Sequence, residues 1–430
     1  MNKVLMSMSG DQELENVETQ YPTKLLRAFL VLLAIVSLCT TDRALVFMNS
    51  NRLIKGGVGL LMIISELLLI IIAFRTYRQH NDEFSAVIKG LVFITLLYNI
   101  GHIVYASIFD ADVVYISLYG NPLFQPMFML PLAIMIGLGQ NNYGLLYKSL
   151  FYYTLLIIPF LVIWGYVQES IGIGLFFVLS FLRYIPRMWR VFYVIFFVVY
   201  IIFCYNHDAR AAVLRAVMGL AIFVFSLTKL TEWRVVKVGI MSLVVAVPMY
   251  YLFLFATTGY SVFTQMESDK NVEMISAENT GDTRTFLYEE VFDDLTNSEA
   301  WLLGKGLNSK YYSSYFDQKN VDADASNRNA TEVGILNYLL KGGLIQAGLY
   351  LSLLLIAIFN CYFRSNNRAM VLVGSILLAH YLLIFFEEIP RYDLYNVAIW
   401  FCIGMSFSPT LLEQDDEFFQ DQIDLIFRKG

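Results

Sequence analysis

Glu332 and three arginines are the side chains of this 430-residue chain whose positions favour chemistry. Glu332 stands where a long polar stretch meets an apolar segment, and a carboxylate at such a boundary can act as a general base. Arg284 falls in the first turn of an expected helix, where a positive charge is locally unfavourable. Arg210 and Arg215 lie at the mouth of another apolar segment. Because guanidinium groups bind phosphate oxygens through paired hydrogen bonds, the set predicts a carboxylate base near a phosphate-binding site.

The same residues also have structural interpretations, and the sequence leaves both open. Thr331 and Glu332 suit the first turn of a helix, whose positive end favours a carboxylate. Arg284 can pair with a neighbouring carboxylate in an acidic stretch. Arg210 and Arg215 can extend to ordinary lipid headgroups.

Most of these residues belong to, or border, one polar stretch at residues 257–332. Acidic residues outnumber basic ones there, and apolar segments flank it on both sides. A connection of this length between membrane spans is usually functional or folded. Its centre predicts a helix, because Leu287, Val291 and Leu295 recur every fourth residue. We expect Asp282 to cap that helix and the pair Gly304 and Gly306 to end it.

The composition indicates a membrane protein. Hydrophobic residues make up 57% of the chain, charged residues 15%, and the mean hydropathy is +0.58. Repeated apolar runs of about 20 residues match the thickness of a bilayer, and helices satisfy their own backbone hydrogen bonds there. The net charge of −6 without a basic stripe excludes a generic nucleic-acid binder. The four cysteines stand singly, so the sequence predicts neither a disulfide framework nor a zinc site.

We therefore predict an all-α polytopic membrane protein with about twelve transmembrane helices. The first 24 residues and the acidic tail at 409–430 lie outside the membrane, and nine spans precede the polar stretch while three follow it at 333–408. The expected spans are about 25–41, 57–74, 86–108, 122–139, 150–168, 171–184, 189–206, 211–228, 236–256, 334–362, 369–387 and 392–408.

Basic residues in alternate short loops predict the orientation. Eleven of them fall on one side if the N-terminus is cytoplasmic: Arg75, Arg78, Lys148, Arg183, Arg187, Arg190, Lys229, Arg234, Lys237, Arg364 and Arg368. The rule then places the polar stretch in the periplasm, as one large and partly helical loop. On that same side Glu387, Glu388, Arg391 and Asp393 are expected to neutralise one another. The tail beyond Pro409 is acidic and mildly amphipathic, and we expect it to be solvated, with a helix on the inner face as the alternative.

The order of several short motifs resembles the O-antigen polymerase and O-antigen ligase superfamily. Asp208-Ala209-Arg210 looks like the family's basic element after a span. Arg284, Trp301 and the Gly304–Gly306 turn follow, and then Glu332 precedes Gly343-Leu344-Ile345. The motifs cover roughly residues 200–360, and each is loose on its own.

The resemblance implies a glycosyltransferase of the bacterial inner membrane that needs neither a metal nor a cofactor. Its substrate is an oligosaccharide on undecaprenyl diphosphate, held by Arg210, Arg215 and Arg284. Trp301, Tyr311 and Tyr312 are expected to contact the glycan. A chain-length regulator and a flippase of the same pathway are possible partners.

Glu332 occupies the position where the ligases have a histidine, which favours a repeat-unit polymerase over a ligase. Two other classes stay open. A transporter usually carries ionisable residues near the bilayer midplane and has related halves. A membrane scaffold does not require arginines on the side where the topology rule disfavours them.

Overall fold

The computed structural model describes residues 24–39, 52–109, 125–164, 168–206, 210–258, 285–313, 327–386 and 389–427, and most of these residues are helical. The helices before the polar stretch are α1 (24–39), α2 (Arg52–His80), α3 (Ala86–Phe109), α4 (Ala133–Gly137), α5 (Asn142–Trp164), α6 (Gln168–Ser180), α7 (Arg187–Asn206), α8 (Arg210–Leu227) and α9 (Arg234–Thr258). Those that follow are α10 (Thr285–Asn297), α11 (Gly334–Phe363), α12 (Arg368–Leu383), α13 (Leu394–Met405), α14 (Pro409–Glu413) and α15 (Asp416–Phe427).

The apolar helices make this a membrane protein. Among the described residues, five helices are long and apolar enough to cross a bilayer: Gly56–Glu83, Ala86–Ala106, Arg187–Asn206, Arg234–Leu254 and Gly334–Phe363. Four shorter apolar helices accompany them, at Ile171–Ser180, Ala211–Leu227, Arg368–Leu383 and Leu394–Met405. All nine fall on predicted spans. The helical class is confirmed, whereas the full number of twelve spans stays a prediction.

One predicted span is not a continuous helix. Residues 122–139 include, from Gln125 onward, two 3-10 turns and the five-residue α4. Pro126 and Pro131 lack the amide hydrogens that an unbroken helix requires. The broken backbone is tolerated because this segment is buried in protein rather than lipid. Gly137 of α4 and Gly404 of α13 let the two backbones meet, since a Cβ atom at either position would lie 2.1 Å from a carbonyl oxygen of the other helix.

Helix α12 separates two ends of the bundle. At its N-terminus, Arg368 and Ala369 donate backbone hydrogen bonds to Asp416 of α15. Just beyond its C-terminus, the Ile384 carbonyl accepts from the Ile335 amide. We call these the tail end and the loop end, and the 16 residues of α12 hold them about 24 Å apart.

The C-terminal tail is a docked helix, so the expectation of a solvated segment was wrong and the alternative of an amphipathic helix is confirmed. Phe419 and Ile423 of α15 are fully buried, and Phe427 meets Phe151 of α5 edge to face with ring centroids 5.2 Å apart. Their spacing puts the apolar side chains on one helical face, which packs on the bundle, while Glu417 and Asp421 are exposed. Tyr184 adds a hydrogen bond to Asp416.

The predicted helix of the polar stretch is present as α10. Leu287, Val291 and Leu295 are all buried, which confirms the expected apolar face. The helix ends at Asn297 rather than at the glycine pair, because Glu299 adopts a left-handed φ of 52° and turns the chain. Asp282, the expected cap, lies outside the described residues.

The two glycines have a different role, because they let the polar stretch enter a break in α11. Helix α11 is interrupted at Gly343, whose φ of 65° and ψ of −168° are not helical. Across the break, the amides of Lys305 and Gly306 donate to the carbonyls of Leu340 and Lys341, at 2.8 and 3.0 Å. The Leu344 and Ile345 amides donate in return to the carbonyls of Trp301 and Leu302, at 2.8 and 3.3 Å. We call residues 301–306 the docked turn.

Gly343→Ala tests this packing, with Gly348→Ala as its matched control in the same helix. A Cβ atom at Gly343 would lie 2.3 Å from the Leu302 carbonyl oxygen and would force a side chain into a left-handed φ. Gly348 has nothing within 4 Å. We expect Gly343→Ala to destabilise the protein by at least about 2 kcal/mol, whereas Gly348→Ala is neutral or stabilises by up to about 1 kcal/mol. Equal thermal unfolding of both variants in detergent would contradict the arrangement.

Candidate functional site

Glu332 lies in a bend that is held in place by hydrogen bonds from the side chain of Asn337. The Asn337 side chain accepts from the Thr331 amide at 2.9 Å and donates to the carbonyls of Thr331 and Val333, at 2.8 and 3.0 Å. The Thr331 hydroxyl bonds the backbone of Val333 as well. Helix α11 begins at Gly334, so Glu332 precedes the helix instead of opening it. The bend fixes the backbone of Glu332 while leaving its carboxylate 43% exposed.

A small charged cluster surrounds Glu332 at the loop end. The nearest oxygen–nitrogen distance between Glu332 and Arg328 is 3.9 Å, which makes this a loose ion pair. Arg328 pairs in an antiparallel ribbon with Tyr311, which joins Tyr311–Tyr312 to Asn327–Arg328. Burial raises the pKa of Tyr311, Glu290 and Glu332 add to that, and Arg328 opposes it. Tyr311 therefore stays a neutral phenol inside a cluster of two carboxylates and one guanidinium.

Arg215 belongs to a second cluster, which is buried between the helices. The side chain is only 4% exposed and interacts electrostatically with His380 and Asp393. It does not extend to lipid headgroups, so that interpretation was wrong. His380 has a tyrosine at each ring nitrogen: Tyr350 at 2.5 Å from Nε2 and Tyr395 at 3.0 Å from Nδ1. A neutral imidazole donates a hydrogen bond from one ring nitrogen and accepts one at the other. One of the two tyrosines therefore accepts from His380 and the other donates to it.

The positions of the buried cluster along its helices fall inside the expected thickness of the membrane. Arg215 is twelve residues from the tail end of α8 and His380 twelve from the tail end of α12. At 1.5 Å per residue both lie about 18 Å above that end, inside a hydrocarbon core of about 30 Å.

Asp393 caps α13 by accepting from the Asn396 amide at 2.7 Å, and it interacts electrostatically with Arg391. Two members of the expected self-neutralising group, Arg391 and Asp393, therefore interact. The other two, Glu387 and Glu388, lie outside the described residues.

The first half of α11 connects the two clusters. Tyr338 follows Asn337 directly and stacks on Tyr350, with ring centroids 4.4 Å apart and an interplanar angle of 15°. Tyr350 then bonds His380. A continuous series of contacts therefore runs from the bend at Glu332, through Asn337 and Tyr338, into the buried cluster around Arg215.

The other predicted site residues have separate positions. Arg284 lies outside the described residues, and of Arg210 the structure describes only the backbone at the start of α8. The Trp301 indole donates to the Thr296 hydroxyl at 3.1 Å and contacts Phe292. Tyr311 is buried, so of the two neighbouring tyrosines Tyr312 is the one whose side chain is exposed, by 52%.

Four residues of the site had not been identified from sequence: Arg328, Asn337, Tyr350 and His380. A histidine within an apolar run was a visible signal, because ionisable residues in spans usually face the protein interior. Arg328 belongs to the same polar stretch as Arg284. It is therefore also a basic residue on the side of the membrane where the topology rule disfavours positive charge. The roles of Asn337 and Tyr350 depend on packing and left no comparable pattern.

No family model, curated protein or solved structure matches this chain. The case for a function therefore depends on the geometry above and on the sequence resemblance.

Asn337→Leu removes a hydrogen-bonded side-chain amide, whereas Gln346→Leu removes one that has no hydrogen-bond partner among the described residues. Gln346 is fully buried in α11, and neither of its amide atoms has a hydrogen-bond partner among the described residues. Replacing Asn337 leaves the Thr331 backbone unsatisfied and should cost about 2–4 kcal/mol, whereas Gln346→Leu should be neutral within about 1 kcal/mol or stabilising. Chemical unfolding in detergent measures both variants. A larger loss for Gln346→Leu than for Asn337→Leu would contradict this assignment.

Proposed function

We propose that this protein is a polymerase of the bacterial inner membrane that joins oligosaccharide repeat units carried on undecaprenyl diphosphate. The product is an O-antigen, capsular or exopolysaccharide chain. The observation that carries the proposal is the exposed carboxylate of Glu332, loosely paired with Arg328 and connected through α11 to the buried Arg215. A carboxylate base beside an arginine suits transfer of a sugar from a diphosphate.

In this mechanism Glu332 accepts the proton of the acceptor hydroxyl. The acceptor oxygen forms a bond to the anomeric carbon of the donor sugar, and the bond from that carbon to the diphosphate oxygen breaks. The lipid diphosphate leaves with the electron pair, and arginines stabilise its charge. Arg215, Arg210 and Arg284 are the proposed ligands, and Arg328 is a further candidate because of its position beside Glu332.

The polymerase is favoured over a ligase because Glu332 takes the place of the ligase histidine. In the proposed orientation the polar stretch lies in the periplasm and both termini lie in the cytoplasm. A chain-length regulator and a flippase of the same pathway are proposed partners. Neither a metal nor a cofactor takes part in the proposed step.

A membrane transporter is a second candidate, because charged residues lie deep in the bundle. Arg215 and His380 are buried between the helices, and Asp393 interacts electrostatically with Arg215. Glu66 stands in the middle of α2, close enough to Tyr392 to interact electrostatically. The break in α11 is a further feature that transporters share. The two candidates differ in what a cell lacking the protein accumulates: single repeats outside for a polymerase, and repeats trapped on the cytoplasmic face for a transporter.

Glu332→Gln tests the catalytic role, with Glu299→Gln as the control. Glu299 is an exposed carboxylate of the same polar stretch, outside the cluster. Loss of a general base lowers a rate by about 10²–10⁴-fold, so Glu332→Gln should reduce the glycan ladder to single repeats, while Glu299→Gln keeps it. Purified protein with lipid-linked repeats in vesicles gives the rate directly. Normal polymer from Glu332→Gln would refute the role, provided that both variants insert equally.

Reporter fusions test the orientation. A reporter active only in the cytoplasm should be silent after Tyr312 and active after Gln414, since the eleven basic residues favour a cytoplasmic tail end. A periplasm-specific reporter should give the reverse result. Activity of the cytoplasmic reporter after Tyr312 would reject the proposed orientation.

A further inference from the structure

We propose that the docked turn anchors the polar stretch in the lipid leaflet at the loop end. The contact surface is the side chains of Trp301, Leu302, Leu303 and Leu344, which we call the apolar patch. This inference concerns a membrane contact and does not depend on the proposed catalytic activity.

The patch exposes large apolar side chains at a place where the backbone is fixed. Leu302, Leu303 and Leu344 are 60%, 54% and 51% exposed. Leu344 adjoins the turn directly, because its amide donates to the Trp301 carbonyl at 2.8 Å. Close contact of Gly304 with Gly343 holds the turn against α11. The docked turn therefore keeps the leucines at the surface, where an apolar cover would remove them from water.

The position of Leu344 in α11 identifies the lipid leaflet as that cover. Leu344 is the first residue after the break, and the helix runs without interruption from there to Phe363. Nineteen residue steps correspond to about 28 Å, close to the hydrocarbon thickness of about 30 Å. The patch therefore lies where the acyl chains meet the headgroups.

The polar groups around the patch agree with that depth. The indole of Trp301 is half-buried and its N–H donates to Thr296, as expected for a tryptophan at a membrane interface. Lys305, the next charged residue, does not face lipid as a free charge, because it forms an ion pair with Asp294 at 2.7 Å. Lys310, four residues after Gly306, is exposed and belongs on the aqueous side.

Fluorophores on single cysteines in phospholipid vesicles test the anchor. Leu303→Cys reports the patch, Lys310→Cys is the aqueous control, and Ile195→Cys on the exposed face of α7 is the lipid control. Cys39, half-buried, is replaced by Ser, and the other native cysteines are buried. We expect nitroxide lipids labelled near the headgroup to quench the label at Leu303, with iodide quenching it far less than the label at Lys310.

Two outcomes would overturn the proposal. Equal iodide quenching at Leu303 and Lys310 would mean that the patch faces water. Crosslinking of Leu303→Cys between two chains in vesicles would mean that a second copy covers it. Maleimide reactivity gives an independent measurement: a charged thiolate is disfavoured near hydrocarbon, so labelling at Leu303 should be about tenfold slower than at Lys310 in vesicles and similar to it in denaturant. The vesicles contain no lipid-linked glycan, so failure of the anchor is distinct from failure of the proposed function.

Discussion

The break in α11 at Gly343 is the constraint on which the arrangement of the loop end depends. An interrupted helix frees backbone amides and carbonyls at the edge of the hydrocarbon, where each unsatisfied group costs several kcal/mol. The docked turn satisfies four of them through backbone hydrogen bonds, and the Tyr98 hydroxyl bonds a fifth, the Gly342 carbonyl, at 2.7 Å. The turn and the helix therefore complete each other. The polar stretch is part of the bundle rather than an appendage to it.

The break also gives the first half of α11 its own direction. Residues 334–342 form a short helix at the loop end, with Asn337 holding the bend of Glu332 and Tyr338 stacked on Tyr350. An unbroken helix would turn Asn337 and Tyr338 in other directions, away from the bend at Glu332 and from Tyr350. Placement of Glu332 thus depends on Gly343, eleven residues further along the chain, because the glycine sets where the short helix lies.

Local patterns predicted the elements better than they predicted the contacts between them. The buried face of α10 could be predicted because its apolar residues recur every fourth position, a pattern that depends only on residues close together in the sequence. For the tail, the solvated interpretation was preferred over an amphipathic helix although Phe419 and Ile423 show the same spacing, because its acidic composition was given more weight than its periodicity. Arg215 was expected at the mouth of the bundle. Its burial depends on His380 and Asp393, which are far away in sequence and join it only through packing.

The physical connection between the polar stretch and α11 also bears on the choice between enzyme and transporter. Alternating access requires one part of a bundle to move against another around a central site. Here four backbone hydrogen bonds and a contact between two glycines join the docked turn to the break, and His380 has a tyrosine at both ring nitrogens. Rocking at this point would break several of these bonds together at the membrane boundary, where water replaces them poorly. A preorganised site gains from the same rigidity, because it holds a base and a cation at fixed positions. The rigidity of the loop end therefore favours the polymerase.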